Sequence, residues 1–386
     1  MPHRAAYVVA PVRTPIGKFG GSFADTPAAE LCGFAARETL KRSGLDPKAV
    51  GEVIIGHGRQ GGNRPNPARQ AQWKAGIPKE TPAYTVNKAC ASSLKAITLA
   101  AGAIRLGEQE IVLAGGQENM SRTPFLLDRA RFGYRLGHAE VLDGMYVDGF
   151  LCPLSGLLMG QTAEKLARQM GIERSEQDEF AVNSQRKCEA ARKAGRFADE
   201  IVPMDKVPDD EHPRDGASVP SLAKLPPVFE KDGSVTAGNS SGITDGGAAV
   251  VVMAEEEAKR RGLKPLSRIV AATTAGVDPS IMGIGPVPAV RKLLERIGGT
   301  LDQFDLIELN EAFAAQVLAC DRELKFPADR LNVNGGAIAL GHPIGCTGAR
   351  SVVTLLHEMR RRKARTGLAT LCISGGMGIA AAFHRH

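Results

Sequence analysis

Aromatic residues are scarce: Phe, Trp and Tyr make up 5% of the chain, with a single Trp. A base-stacking surface needs such rings in number, so nucleic-acid binding has little to stand on. No uninterrupted apolar run reaches the ~18 residues of a membrane-spanning helix, and no membrane role is expected. The histidines and cysteines show neither HExxH nor CxxC spacing, so no metal site is expected. There is no GxxxxGK[ST] segment, and no GxGxxG follows the first strand-like stretch. Nucleotide hydrolysis and dinucleotide binding therefore lose their usual signals.

The seven cysteines are odd in number, in a chain too long to need disulfide staples. This reads as free thiols in a reducing compartment. Residues 1–10 carry no long apolar signal core, and the C-terminal Phe-His-Arg-His is not a peroxisomal address. Cytoplasm is the expected location.

What is present is globular. The 386 residues are 43% hydrophobic and 24% charged, with a formal net charge of +7. That excludes disorder and suits an anionic small molecule. The basic run from Arg360 to Arg365 follows apolar periodicity from Val352 to Met359. It reads as cations at a helix C-terminus rather than a nucleic-acid patch.

The first 118 residues alternate. Strands are expected at Tyr7–Ala10, Val53–Gly56 and Ile111–Gly116, and helices over 27–43 and 87–106. The pattern predicts a mostly parallel sheet with helices on its faces. From about 119 to 240 the texture changes to charged helices and polar loops, which reads as an insertion. Alternation resumes with strands at 248–254, 268–272, 306–310 and 368–373 and helices at 288–297 and 348–359. The two halves rhyme in order, which argues for a duplicated α/β unit rather than a solenoid.

Four segments carry chemistry. Cys90 stands where Tyr84-Thr85-Val86 turns into a small-residue helix, and a helix N-terminus favours thiolate. His342 lies in the Gly-rich Asn334–Gly345 loop, fixed by Pro343 and suited to moving a proton. Cys372 ends a strand before Ser374-Gly375-Gly376, whose amides suit an oxyanion. Asn310 follows an apolar strand and could hold a water or carbonyl.

These segments, in this order, resemble the thiolase family, and within it the acetyl-CoA acetyltransferases. Further matching segments are Val12–Gly17, Gly115–Ser121, Thr236–Ser241, Met282–Pro286 and Asn310–Ala314. The resemblance implies an α/β fold of two duplicated βαβαβαββ halves, five-stranded, in a layered α-β-α-β-α arrangement. Residues 1–118 and 243–265 would form the N-terminal half and 266–386 the C-terminal half. Residues 119–242 would be a loop domain covering CoA.

The implied chemistry is reversible condensation of acyl-CoA, or CoA-dependent thiolysis of short-chain 3-ketoacyl-CoA, through a Cys90 acyl-enzyme. His342 would deprotonate Cys90, and Cys372 would exchange the α-carbon proton. His342 with an Asn310-held water would form one oxyanion hole, and the amides of Cys90 and Ser374 the other. Ser241, Met159, Met282, Ala312 and Phe313 are implied as substrate or CoA contacts. No cofactor is implied, since coenzyme A is substrate and product. A homotetramer or homodimer is implied, with Met120–Gly149 in the place of a tetramer-forming loop.

The chain departs from the family pattern at Ala91 and Ser93, where glycines are usual. Those side chains would narrow the acyl pocket or alter helix packing. Leu158 replaces a family His before Met159-Gly160, removing a polar contact. Two rival readings are a decarboxylating β-ketoacyl synthase-like enzyme and a non-catalytic acyl-CoA-binding protein. Synthases pair their Cys with His-His or His-Asn, so Cys372 favours the thiolase reading.

Overall fold

The structure is a computed structural model that describes residues 4–204 and 207–385. Residues 1–3 and His386, which the expected domain bounds include, lie outside them. The first half runs β1 (Ala6–Arg13), α1 (Ala28–Ser43), β2 (Glu52–His57), α2 (Pro67–Lys74), β3 (Ala83–Val86), α3 (Ser92–Leu106) and β4 (Ile111–Asn119). Helices α4 (Met159–Met170) and α5 (Arg174–Lys193) follow, before β5 (Thr244–Ala254) returns to the sheet. The second half runs β6 (Ser267–Gly276), α6 (Pro286–Ile297), β7 (Leu306–Leu309), α7 (Ala314–Leu324), α8 (Ile344–Arg362), β8 (Thr366–Ile373) and β9 (Met377–His384).

The duplication holds over four strands of each half. The first half is ordered β1-β5-β4-β2-β3, with two antiparallel pairings followed by two parallel ones. The second is ordered β6-β9-β8-β7, antiparallel, antiparallel and parallel. Its fifth position is a single parallel bridge from Ile307 to Leu331. The expected fifth strand of that half is thus reduced to one residue pair. The halves also join into one sheet, through Tyr7 opposite Arg268 and Val8 opposite Ser267.

Side-chain alternation along the strands builds the layers. On β5, Ala248, Val250 and Val252 face a core shared with α3 and α8. Their neighbours Ala249, Val251 and Met253 face α1 and α2. On β8, Ala369 and Leu371 face α3 and α8, whereas Leu368 faces α6 and α7. Helices α3 and α8 therefore lie sandwiched between the two sheets, with α1 and α2 outside one and α6 and α7 outside the other. This is the expected α-β-α-β-α order.

Ala89–Leu106 is long and apolar enough to cross a membrane, with a mean hydropathy of 1.3 over 18 residues. Ser92, Lys95, Thr98 and Arg105 interrupt it, so no continuous apolar run exists. In the fold it is the inner helix α3, and Ala96, Ala100 and Ala101 pack within the shared core.

Two elements escaped the sequence reading. Helix α2 is short, but its signal is local: Pro67 takes the first turn and the Asn66 side chain accepts from the Arg69 amide. Strand β9 is the second of the two strands that close the implied βαβαβαββ half, but its residues give no local strand signal. Its alanines carry little β propensity. Gly378 is required there because a Cβ would come 1.9 Å from the Gly285 carbonyl oxygen.

Candidate active site

Cys90 sits in a 3₁₀ turn, Ala89–Ala91, that leads into α3. Ala89 is left-handed at φ 44°, an uncommon and costly conformation for a residue with a Cβ. Ser92 braces the turn: its Oγ donates to the Ala89 carbonyl at 2.6 Å and accepts from the Lys88 amide at 2.9 Å. The nucleophile candidate therefore precedes the regular helix rather than opening it. The backbone amides of Ser374 and of Cys90 itself act on its sulfur and favour the thiolate. Met120, Met145, Ile344 and Phe150 pack around it. Burial pushes the thiol up; the Arg59 charge and the two amides oppose this, and Glu118 adds to it.

His342 is held from three sides. Its backbone amide donates to the Gly242 carbonyl at 3.0 Å. Its Nδ1 lies 2.6 Å from Thr347 Oγ1, and its Nε2 lies 3.5 Å from Asn310 Nδ2. Burial, then the charges of Arg350 and Arg59, push the imidazole down to about 3, so it is neutral at pH 7. Asn310 is fully buried and its Oδ1 has no hydrogen-bond partner among the described residues. A water there would satisfy that oxygen.

Cys372 lies at the end of β8, fully buried, and feels the charge of Cys90. Burial pushes its thiol well up. Gly375 and Gly376 follow at φ 85° and 81°, forming the tight turn into β9. Cys372 shares an apolar cluster with Met159, Met282, Ala312, Phe313 and Cys152. These four expected contact residues thus gather on Cys372 rather than on Cys90. Ser241 enters through its backbone, whose amide donates to the Ala312 carbonyl at 3.0 Å.

Three residues near the site have no role assigned from the sequence, although Glu118 lies in the matching Gly115–Ser121 segment. Glu118 is fully buried at the end of β4. Its carboxylate accepts from the amides of Gly58 at 3.1 Å, Arg59 at 3.1 Å and Gly345 at 2.8 Å. His57 Nε2 lies 3.0 Å from it. Glu118 therefore ties the His342 loop of the second half to the end of β2 in the first. Although burial pushes its carboxyl up, His57, Arg59 and the amides outweigh that and hold it below the usual range. Arg59, beside Phe150, is the third. Sequence spacing alone links none of them, because they meet only where β2 and β4 lie side by side.

The departures at Ala91 and Ser93 resolve as helix packing. Ala91 lies in the shared core, and Ser93 Oγ accepts from the Ala349 amide of α8 at 2.8 Å. Of the other cysteines, Cys188 and Cys320 are pushed up to about 12 by burial, and Cys32 higher. Cys152 differs. Burial raises it, but Ser155 and the amides of Ser155, Leu154 and Gly375 win and lower it. It lies in the cluster around Cys372.

Comparison with known proteins matches this arrangement. Residues 6–256 match the thiolase N-terminal domain and residues 263–385 the thiolase C-terminal domain. The chain is 54% identical to an acetyl-CoA acetyltransferase of Pseudomonas aeruginosa over 383 residues, covering 97% of each. It is 52% identical to one of Cupriavidus necator, covering 98% of each. The Bacillus anthracis acetyl-CoA acetyltransferase structure superposes with a TM-score of 0.97 at 46% identity, over 100% of this chain and 99% of that one. Human mitochondrial 3-ketoacyl-CoA thiolase in complex with CoA also reaches 0.97, at 43% identity, over 99% of this chain and 98% of that one. With both domains matched and the duplicated sheet in place, the chain belongs to the thiolase family of acyltransferases.

Proposed function

We propose that this thiolase cleaves and forms short-chain 3-ketoacyl-CoA, with Cys90 as nucleophile. The observation that carries the reading is the convergence of the Ser374 and Cys90 amides on the Cys90 sulfur, with Cys372 beside it. In thiolysis His342 takes the Cys90 proton and the thiolate attacks the 3-keto carbon. The bond between the second and third carbons breaks, and Cys372 gives its proton to the departing acetyl-CoA carbanion. CoA thiol then releases the acyl group as a new thioester, returning a proton to Cys372, and His342 returns its proton to Cys90. Condensation is the reverse. The two amides would hold the tetrahedral oxyanion on Cys90, and His342 with an Asn310-bound water would hold the thioester oxygen.

Met159, Met282, Ala312 and Phe313 support a narrow apolar wall suited to short chains, and Ser241 supports a CoA contact. Coenzyme A acts as substrate and product, with no separate cofactor. The same reading keeps residues 119–242 as the loop domain between the two halves. It places the protein in the cytoplasm, where its free thiols stay reduced. It also makes the protein a homotetramer, supported by exposed Phe132 and Leu136, at 93% and 97%, in the expected tetramer segment.

The test is CoA-dependent cleavage of a 3-ketoacyl-CoA chain-length series. Steeply falling rates beyond acetoacetyl-CoA support the short-chain reading. Preference for long chains overturns the substrate, and no cleavage of any member overturns the reaction.

A further inference from the structure

We infer that Arg59 is an anion-recognition group of the acyl pocket, receiving a carboxylate at the far end of the acyl chain carried by Cys90. The substrates it selects are 3-oxo dicarboxylic acyl-CoA thioesters. The inference rests on the thiolase reading and names a substrate class for that same site.

Arg59 follows β2 and is 6% exposed. Its guanidinium lies against the backbone of Gly149, where a Cβ would come within 2.5 Å of Cζ and Nε. Cζ sits 5.8 Å from the centroid of the Phe150 ring. Nε is buried and has no hydrogen-bond partner among the described residues. Among the described residues no hydrogen bond or ion pair joins the Glu118 carboxylate to the guanidinium, although the two charges attract; the carboxylate is held by the amides of Gly58, Arg59 and Gly345, with His57 3.0 Å away. A buried guanidinium N–H left without an acceptor is unfavourable, and a ligand anion would satisfy it.

The route from Arg59 to the nucleophile is short. Phe150 contacts both sides: its ring lies beside the guanidinium and packs against the cluster of Cys90, Met120, Met145 and Ile344. The Arg59 charge acts on both Cys90 and His342. An acyl chain on Cys90 therefore meets apolar side chains suited to methylenes and, beside Phe150, a planar fork suited to two carboxylate oxygens. An acetyl group uses none of this.

The test compares three probes: acetoacetyl-CoA, 3-oxohexanoyl-CoA, and the six-carbon counterpart of the latter that ends in a carboxylate. In the wild type, kcat/KM for the carboxylate probe should exceed that for 3-oxohexanoyl-CoA by about tenfold or more. Arg59→Leu should bring that ratio to about one or below, and Arg59→Lys should keep part of it. A wild-type ratio of one or less overturns the proposal without any variant, and so does a ratio unchanged in Arg59→Leu. An equal loss on all three probes in Arg59→Leu assigns the charge to the Cys90 thiolate instead and overturns it too. Cleavage of the uncharged probes without this preference leaves the thiolase reading intact; cleavage of none overturns both.

Discussion

His342 Nδ1 lies 2.6 Å from Thr347 Oγ1, and the Thr347 hydroxyl lies 3.0 Å from the Pro343 carbonyl oxygen to which it donates. A hydroxyl has one proton to give. Nδ1 therefore carries the ring proton, and Nε2 presents its lone pair on the side of Asn310. That tautomer accepts a proton, as a base for Cys90 must. Thr347→Val keeps the shape and removes the fixing hydroxyl. It should lower kcat by about a hundredfold, the low end of an acid–base contribution, with little change in thermal stability. Steady-state kinetics beside a melting curve checks this, and an unchanged kcat refutes the tautomer assignment.

The acid limb of the pH–rate profile should be displaced. Burial, Arg350 and Arg59 depress His342 to about 3, so it stays neutral across the working range. Cys90 is pushed the other way. Acylation measured as kcat/KM should rise with pH through the alkaline range as the thiol ionises, with no limb near the ordinary histidine value of ~6.5. A limb at that value is incompatible with this histidine.

The two thiols should separate by half-reaction. Cys90→Ala should abolish turnover and leave no acyl adduct on the protein. Cys372→Ala should still accept an acetyl group on Cys90 from acetyl-CoA, yet fail to make or break the carbon–carbon bond. Intact-protein mass spectrometry after mixing with acetyl-CoA distinguishes them. Full activity in the Cys90 variant would sink the mechanism.

Glu118 should matter to stability in a pH-dependent way. Its folded carboxyl ionises below the usual range, so its contribution is present above the unfolded value of ~4.3. That contribution is lost as the pH falls through the folded value. Glu118→Gln should cost about 3 kcal/mol at pH 7, as when one partner of a buried charged cluster is removed. Denaturant titrations should show the gap to wild type closing in acid; a gap independent of pH argues against the ionised clamp.

The assembly proposal rests on Phe132 and Leu136, which stand almost fully in solvent. Replacing both with Lys should shift a tetramer to a smaller species with the fold intact. Analytical ultracentrifugation reads the change, and a wild-type monomer refutes the proposal directly.

Much of the fold was legible because its elements advertise themselves locally. Helices α1 and α3 end at Gly44 and Gly107, both left-handed, just where apolar periodicity stops. Strands β4 and β5 are fully buried and read as short apolar runs. Strand β9 did not, because its alanines and Gly378 are chosen by what packs against them. The resemblance carried Cys90, His342, Cys372 and Asn310 by position, and the fold brings Asn310 to His342 and the Ser374 amide to Cys90.

The sequence by itself determined the duplicated α/β plan, because hydrophobic period and glycine stops are local properties of the chain. It also determined where the reactive side chains fall along that plan. The tertiary structure alone decided which buried charges surround them. Glu118 reaches Gly345 across 227 positions of chain, and the Arg59 amide meets Glu118 because β2 and β4 are neighbours in the sheet. A buried charge is governed by its surroundings, through desolvation and a few fixed amides, and those surroundings come from segments that no short window of sequence contains.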